Sequence, residues 1–264
     1  MRVSSTALAS TAVLVSSVAA HGHVAGIISG GKWYSGWDPA YAYANPAPAV
    51  AGWKASNLDN GFVSPDAFGS ADIACHKSSS PGQAYVPVNA GDTIGLAWNT
   101  WPDSHKGPVI DYLAACSGEC TSASASSLRF EKIAQGGLIS GSNPGTWVTD
   151  TLIKNNVTWN VKIPSNLKAG NYVLRHEIIA LHAAGQPNGA QAYPQCVNLK
   201  VSGGGSAVPG GVPATSFYTA SDPGIRFNLY GSFSSYPIPG PALGSLASRV
   251  KRHARDFFNL LNRN

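Results

Sequence analysis

Charged side chains are scarce in this sequence: Asp, Glu, Lys and Arg make up 12% of its 264 residues, too few for a surface of long amphipathic helices. No stretch before residue 241 carries a long, capped helical period, and no internal repeat is present. A basic surface is missing as well, despite a net charge of +5. Between residues 21 and 240, twelve Lys and Arg balance twelve Asp and Glu, and the excess comes from the tail, where Arg249, Lys251, Arg252, Arg255 and Arg263 face only Asp256. A neutral core excludes the electrostatic footprint of a nucleic-acid binder and suits a neutral partner. Several catalytic signatures are absent. There is no G-x-S-x-G elbow for a serine hydrolase, and the His residues of "HEIIALH" (176–182) are six apart, which is not the zincin spacing. The few acids are not paired as a glycosidase would need. The cysteine spacings are not those of a zinc site.

What is present is rich in Gly, Pro, Ser, Asn and aromatics, a loop-rich β composition. Short apolar or alternating runs recur between turn residues, at 92–98, 108–114, 128–134, 157–163, 171–182 and 196–201. That arrangement predicts the strands of an all-β sandwich. Two long Gly/Pro/Tyr-rich stretches, 30–70 and 203–240, are too long for hairpin turns and read as functional loops.

Residues 1–20 have a charged start (Arg2), an apolar run and small residues ending at Val18-Ala19-Ala20. This is the pattern of a secretory signal peptide, and a cut after Ala20 makes His21 the first residue of the secreted chain. Secretion agrees with four cysteines, Cys75, Cys116, Cys120 and Cys196, which allow three pairings. Cys116 and Cys120 are close enough for a local loop, which leaves Cys75 with Cys196. Asn156-Val157-Thr158 is an N-glycosylation sequon.

An N-terminal histidine offers its α-amine and its imidazole Nδ1 to one metal ion. One further imidazole would complete a planar three-nitrogen set, a geometry that suits Cu(II). Candidate partners are His76, His105, His176 and His182. If 171–182 is one regular strand, His176 and His182 face the same way, as do Gln191 and Tyr193 if extended, and Arg175 and Glu177 share the opposite parity to His176 and can form an ion pair.

Taken together, "HGHV" (21–24), "WPDSHKGPVIDYLAAC" (101–116), "AGNYVLRHEIIALH" (169–182), "GAQAYPQC" (189–196) and "DPGI…SSYPIPGP" (222–241) resemble the fungal lytic polysaccharide monooxygenases of auxiliary activity family nine. The similarity spans about residues 21–241. It implies an immunoglobulin-like or fibronectin-like antiparallel β-sandwich with long loops forming a flat surface, a secreted extracellular monomer, and one copper per chain. It also implies oxidative cleavage of β-1,4-glucan such as cellulose, using O2 or H2O2 and an external electron donor, either a small reductant or a cellobiose dehydrogenase-like protein.

Residue by residue, His21 and His105 match the copper-binding histidines and Tyr193 the axial tyrosine. His182 and Gln191 match the pair that hydrogen-bonds an oxygen species, and the cysteines match the pairs 75–196 and 116–120. Tyr41, Tyr43 and Tyr236 lie in stretches similar to those that give the family its aromatic substrate platform. On this reading His23 and His76 are structural or solvated, and His176 is a core or supporting residue. The alternative is a non-catalytic copper- or carbohydrate-binding protein of the same shape, which would have no need of His182 with Gln191. The sequence after "PGPALG" departs from the family pattern. Residues 242–264 read as a separate basic amphipathic tail, with Leu243, Leu246, Val250, Phe257 and Leu261 near helical spacing.

Overall fold

Short apolar runs with few charged interruptions fold this chain into two stacked sheets; Thr158–Lys162 alternates buried and exposed positions, while Val109–Ala115, Gly170–Ala180 and Gln191–Ser202 are buried nearly throughout. The computed structural model describes residues 21–247. The expected signal peptide at 1–20, and the tail from residue 248 onward, lie outside the described residues. The smaller sheet has β1 (Val24–Ser29), β2 (Lys32–Ser35), β4 (Thr93–Trp98) and β9 (Thr158–Lys162), in the order β2-β1-β4-β9. The larger has β3 (Val86–Asn89), β5 (Val109–Ala115), β6 (Glu131–Gly136), β10 (Gly170–Ala180) and β11 (Gln191–Ser202), in the order β3-β11-β10-β5-β6. A small hairpin of β7 (Leu138–Ser140) and β8 (Thr146–Trp147) leads into the helix α2 (Val148–Lys154). A single turn of helix, α1 (Asp72–Cys75), precedes β3. All pairings are antiparallel except that of β3 with β11.

The six strands expected from the sequence are present with shifted ends. The largest shifts are at β11, which begins five residues before the expected start at Cys196, and at β6, which begins three residues after Leu128; β10 stops at Ala180, two residues early. His182 is therefore not on the strand, and the parity expected between it and His176 does not apply. His176 faces the space between the sheets, where Trp98 Nε1 donates to its Nε2 (3.0 Å) and its Nδ1 meets Asp111 (2.7 Å).

The larger sheet is covered on both faces. Its inner face packs against the small sheet through Leu96, Trp98, Leu113, Ile178, Tyr193 and Leu199. Its outer face lies under the long loops and carries Ile110, Tyr112, Val173, Ile179, Phe217 and Tyr218. On this outer face Arg175 and Glu177 form the expected ion pair. Both are fully buried, with paired contacts of 2.8 Å, and the guanidinium also donates to the Ile73 and Ala74 carbonyls. Cys75 and Cys196 are bonded beside it, tying α1 to β11, and Cys116 and Cys120 close the local loop.

The packed chain also continues past the boundary expected at residue 241. Gly244 N donates to Lys132 O (2.9 Å) and Leu246 N to the Glu131 carboxylate (2.8 Å), and Leu246 is buried. Residues 244–246 are thus docked on β6, because the Lys132 carbonyl and the Glu131 side chain supply acceptors that hold them, although only Leu246 is buried.

Candidate metal centre

The site forms where the first described residues meet two loops at one end of the sandwich. His23 leads into β1 and is locked in place: its N–H donates to Asn99 Oδ1 (2.9 Å), its carbonyl accepts from Asn99 N (3.0 Å), and its Nδ1 meets Asn60 Oδ1 (2.8 Å). Gly22 lies against the Thr100 carbonyl so closely that any Cβ there would collide with it. The glycine lets the segment carrying His21 run flush along the loop that carries His105.

That loop is pinned by a buried tryptophan. Trp101 Nε1 donates to the His105 carbonyl (3.0 Å), while its ring packs edge-on to His105 and to Tyr193 at 5.9 and 5.1 Å. His105 is 6% exposed, and its Nδ1 is engaged by the Ser104 hydroxyl (3.1 Å). Its Nε2 is buried and has no hydrogen-bond partner. His182, on the turn after β10, has a buried Nδ1 in the same condition. The two rings lie 4.0 Å apart, and the His21 ring is 5.5 Å from that of His105 and 5.8 Å from that of Tyr193.

Buried polar atoms are ordinarily satisfied. Two orphaned imidazole nitrogens in one cluster therefore mark a place where something else should bind. The site's electrostatics keep these two imidazoles neutral. Burial, aided by His182 and His21, pulls His105 down to about 4, and burial with His21 also lowers His182. Both rings are neutral at ordinary pH, the state in which imidazole ligates metal. Burial, with Asp59 nearby, pushes the Tyr193 phenol well above its usual value, so it stays protonated.

Tyr193 donates that proton to Gln191 Oε1 at 2.7 Å. The two residues share a face of β11, as their even spacing predicts. Among the described residues, no three His, Cys, Asp or Glu side chains gather as a metal site. The α-amine of an N-terminal His21 would add a nitrogen donor beside the imidazoles. Nitrogen donors with one weak phenol suit copper.

The other histidines fall outside the cluster. His23 and His176 are structural, as described. His76 is buried, with its Nε2 on the Gly61 carbonyl (2.9 Å) and its Nδ1 accepting from Lys77 N (2.8 Å). The expected platform tyrosines divide. Tyr41 and Tyr43 sit on a 3-10 turn, Pro39–Tyr43, that Asp38 caps through Ala40 N (2.8 Å); Tyr43 is 79% exposed, whereas Tyr41 leans against Trp37. Tyr236 is packed instead of displayed: its ring sits at 4.9 Å from Trp147 and 5.0 Å from Phe227, and its hydroxyl donates to the Gly224 carbonyl (2.6 Å).

Two residues escaped the sequence reading. Phe62 packs beside both His21 and Tyr193, and the Asp59-Asn60-Gly61 turn ahead of it was the available signal. Tyr230, 55% exposed, lies on a loop whose Phe227 N bonds the Ala184 carbonyl, two residues beyond His182. Nothing in its local sequence separates it from its packed neighbours.

Fold and site together define a β-sandwich protein with a metal-competent cluster of neutral nitrogen donors at one end. The family can be named more closely. Residues 21–236 match the model of Auxiliary Activity family 9 (formerly GH61), and the chain belongs to this family. AA9 family lytic polysaccharide monooxygenase F of Malbranchea cinnamomea is 62% identical over 237 residues, covering 90% of this chain and 96% of that one. AA9 family lytic polysaccharide monooxygenase I of Botryotinia fuckeliana is 56% identical over 240 residues, covering 90% and 89%. The extended catalytic domain of LPMO9A from Hypocrea jecorina superposes with a TM-score of 0.84 at 53% identity, covering 86% of this chain and 92% of that one. The chain is thus a copper-dependent, polysaccharide-cleaving monooxygenase, and the alternative of a non-catalytic binding protein is set aside. Among the described residues, no helix is long and apolar enough to cross a membrane.

Proposed function

We propose that this protein is secreted, is cut after Ala20, and cleaves β-1,4-glucan chains of cellulose oxidatively. His21 would hold one copper through its amine and Nδ1, His105 through Nε2, and Tyr193 would offer its phenol oxygen as a weak further donor. The observation that carries the reading is the pair of buried, unpartnered nitrogens, His105 Nε2 and His182 Nδ1, gathered beside His21 and Tyr193. Copper held there would supply redox chemistry toward O2 or H2O2, drawing its electrons from an external donor, of the kind that attack on a sugar C–H bond needs.

The chain's own residues do the rest. Ser104 on His105 Nδ1 fixes which ring nitrogen faces the metal. Trp101 and Phe62 wall off the inner side. Because Gln191 Oε1 is taken by the Tyr193 hydroxyl, its amide Nε2 is left to donate toward a ligand, and the neutral His182 can hold or pass a proton there. Tyr43 offers an exposed aromatic face, and with it Tyr41 and Tyr230 can stack on glucose rings, whose apolar faces suit aromatic contact.

Intact-mass analysis of the secreted protein should give His21 as its first residue. Calorimetry should then show one tight Cu(II) site, lost by orders of magnitude in His105→Ala. Oxidised oligosaccharides should be released from cellulose in the presence of copper and reductant. Unchanged copper affinity in His105→Ala would sink the ligand assignment. Oxidation of other β-glucans but not cellulose would sink the substrate assignment alone.

A further inference from the structure

The outer face of the small sheet is unusually shallow in its middle. Register places Trp33, Ile28, Gly95 and Asn160 in one row across β2, β1, β4 and β9, and Ser35, Gly26, Ala97 and Thr158 in the next. Two glycines and an alanine floor this patch. The Trp33 indole lies down over Gly26, where any Cβ would run into its ring, yet Trp33 remains 56% exposed and its neighbour Ile28 37% exposed. The Thr158 methyl points onto the same floor, 3.1 Å from where a Cβ on Gly95 would stand. An exposed tryptophan beside an open, flat strip is a stacking surface for a pyranose ring, whose C–H face matches the indole.

The opposite end of the strip is the sequon. Asn156 is exposed in a tight turn with φ +50°, closed by Thr158 N on the Asn155 carbonyl (3.0 Å). Thr158, the sequon's hydroxyl residue, pairs with Ala97, which pairs with Gly26. Thr158 is thus two strand spacings, about 10 Å, from the glycine under the Trp33 ring, and the two N-acetylglucosamine units at the base of an N-glycan span roughly that distance.

We infer that an N-linked glycan on Asn156 folds back across this face, with its inner sugars over Ala97 and against the Trp33 indole. Ile28 and the Ala97 methyl meet the apolar N-acetyl groups, while Thr93, Asn160 and Lys162, exposed around the strip, meet the hydroxyls. One aromatic contact alone holds a free sugar weakly. Attachment at the far edge of the same sheet removes much of the entropy cost of bringing the sugar there, which favours the protein's own glycan over a free polysaccharide. The glycan would also cover apolar surface that otherwise faces water.

The inference rests on the secretion reading, because N-glycosylation requires it. The test uses protein secreted from an N-glycosylating host, with half of it trimmed by endoglycosidase to a single N-acetylglucosamine. Hydroxyl-radical footprinting read by mass spectrometry should label Trp33 several-fold less in the full glycoform, while exposed Tyr43 is labelled equally in both. In Trp33→Ser, the full glycan should no longer raise the melting temperature relative to the trimmed form. Equal labelling of Trp33 in the two glycoforms overturns the inference. So does protection of Trp33 in trimmed protein by added soluble β-glucan, which would make the face a substrate surface. A secreted, copper-binding protein with bare Asn156 overturns this inference alone, whereas a chain that is not secreted overturns both it and the proposed function.

Discussion

The Tyr193 hydroxyl donates to Gln191 Oε1 over 2.7 Å, so a residue assigned to the metal also fixes which way its neighbouring amide points. Tyr193→Phe should therefore act mainly through Gln191. The ring packing against Trp101 and His21 remains, but the amide is free to turn. Oxidative activity should fall about 10–100-fold, as such supporting contacts typically do, with little change in Cu(II) affinity by calorimetry. Gln191→Ala should give the same split. Equal loss of copper and activity would mean that Gln191 touches the metal itself.

Glu177→Gln leaves the Arg175 guanidinium buried without its counter-charge, and also weakens the contact from the Tyr218 hydroxyl (2.5 Å). Breaking one side of a buried pair typically costs about 3–5 kcal/mol. Chemical denaturation should show a loss of that order, while copper affinity of the folded fraction stays unchanged.

Burial pulls His76 down to about 4, against the opposing effect of its bond to the Gly61 carbonyl. The unfolded chain binds this proton near the ordinary histidine value of about 6.5, so the unfolded state gains protons first as pH falls. The contribution of His76 to stability is whole above about 6.5 and is lost progressively down to about 4. His105 behaves the same way in metal-free protein. Melting temperatures of the metal-free protein should drop across that window, and copper should restore part of the loss because it binds the neutral ring. A flat profile from pH 7 to 4 would contradict the burial of both rings.

Truncation after Gly240 removes the backbone donor at Leu246 and the hydroxyl of Ser245 from the Glu131 carboxylate, and uncovers the surface under Leu246. Copper binding and oxidation of a soluble glucan should survive, since both act at the sandwich end, but stability should fall by about 1–3 kcal/mol. Truncation after Ala247 keeps these contacts and should give the more stable of the two proteins. If the two truncations were equally stable, the contacts of residues 244–246 with β6 would not contribute to the fold.

Local information in the sequence determined the sandwich, because strands write themselves as short apolar or alternating runs and turn residues mark their ends. It also determined that Gln191 and Tyr193 share a face and that Arg175 and Glu177 pair, since both follow from parity within a single strand. The positions of His21, His105 and Tyr193 were legible only through motifs spread over the whole chain. No local property distinguishes His105 from His76 or His176. The tertiary structure separates them: Asp111 and Trp98 claim His176, Gly61 and Lys77 claim His76, and among the described histidines a buried nitrogen is left without a partner at His105 and His182. It decided that β10 ends before His182, that Tyr236 packs while Tyr43 and Tyr230 stay exposed, and that the chain remains docked through Leu246. Each of these depends on which distant segment occupies the space beside a residue, and that is set by the packing of the two sheets and their loops, not by the residue's neighbours in sequence.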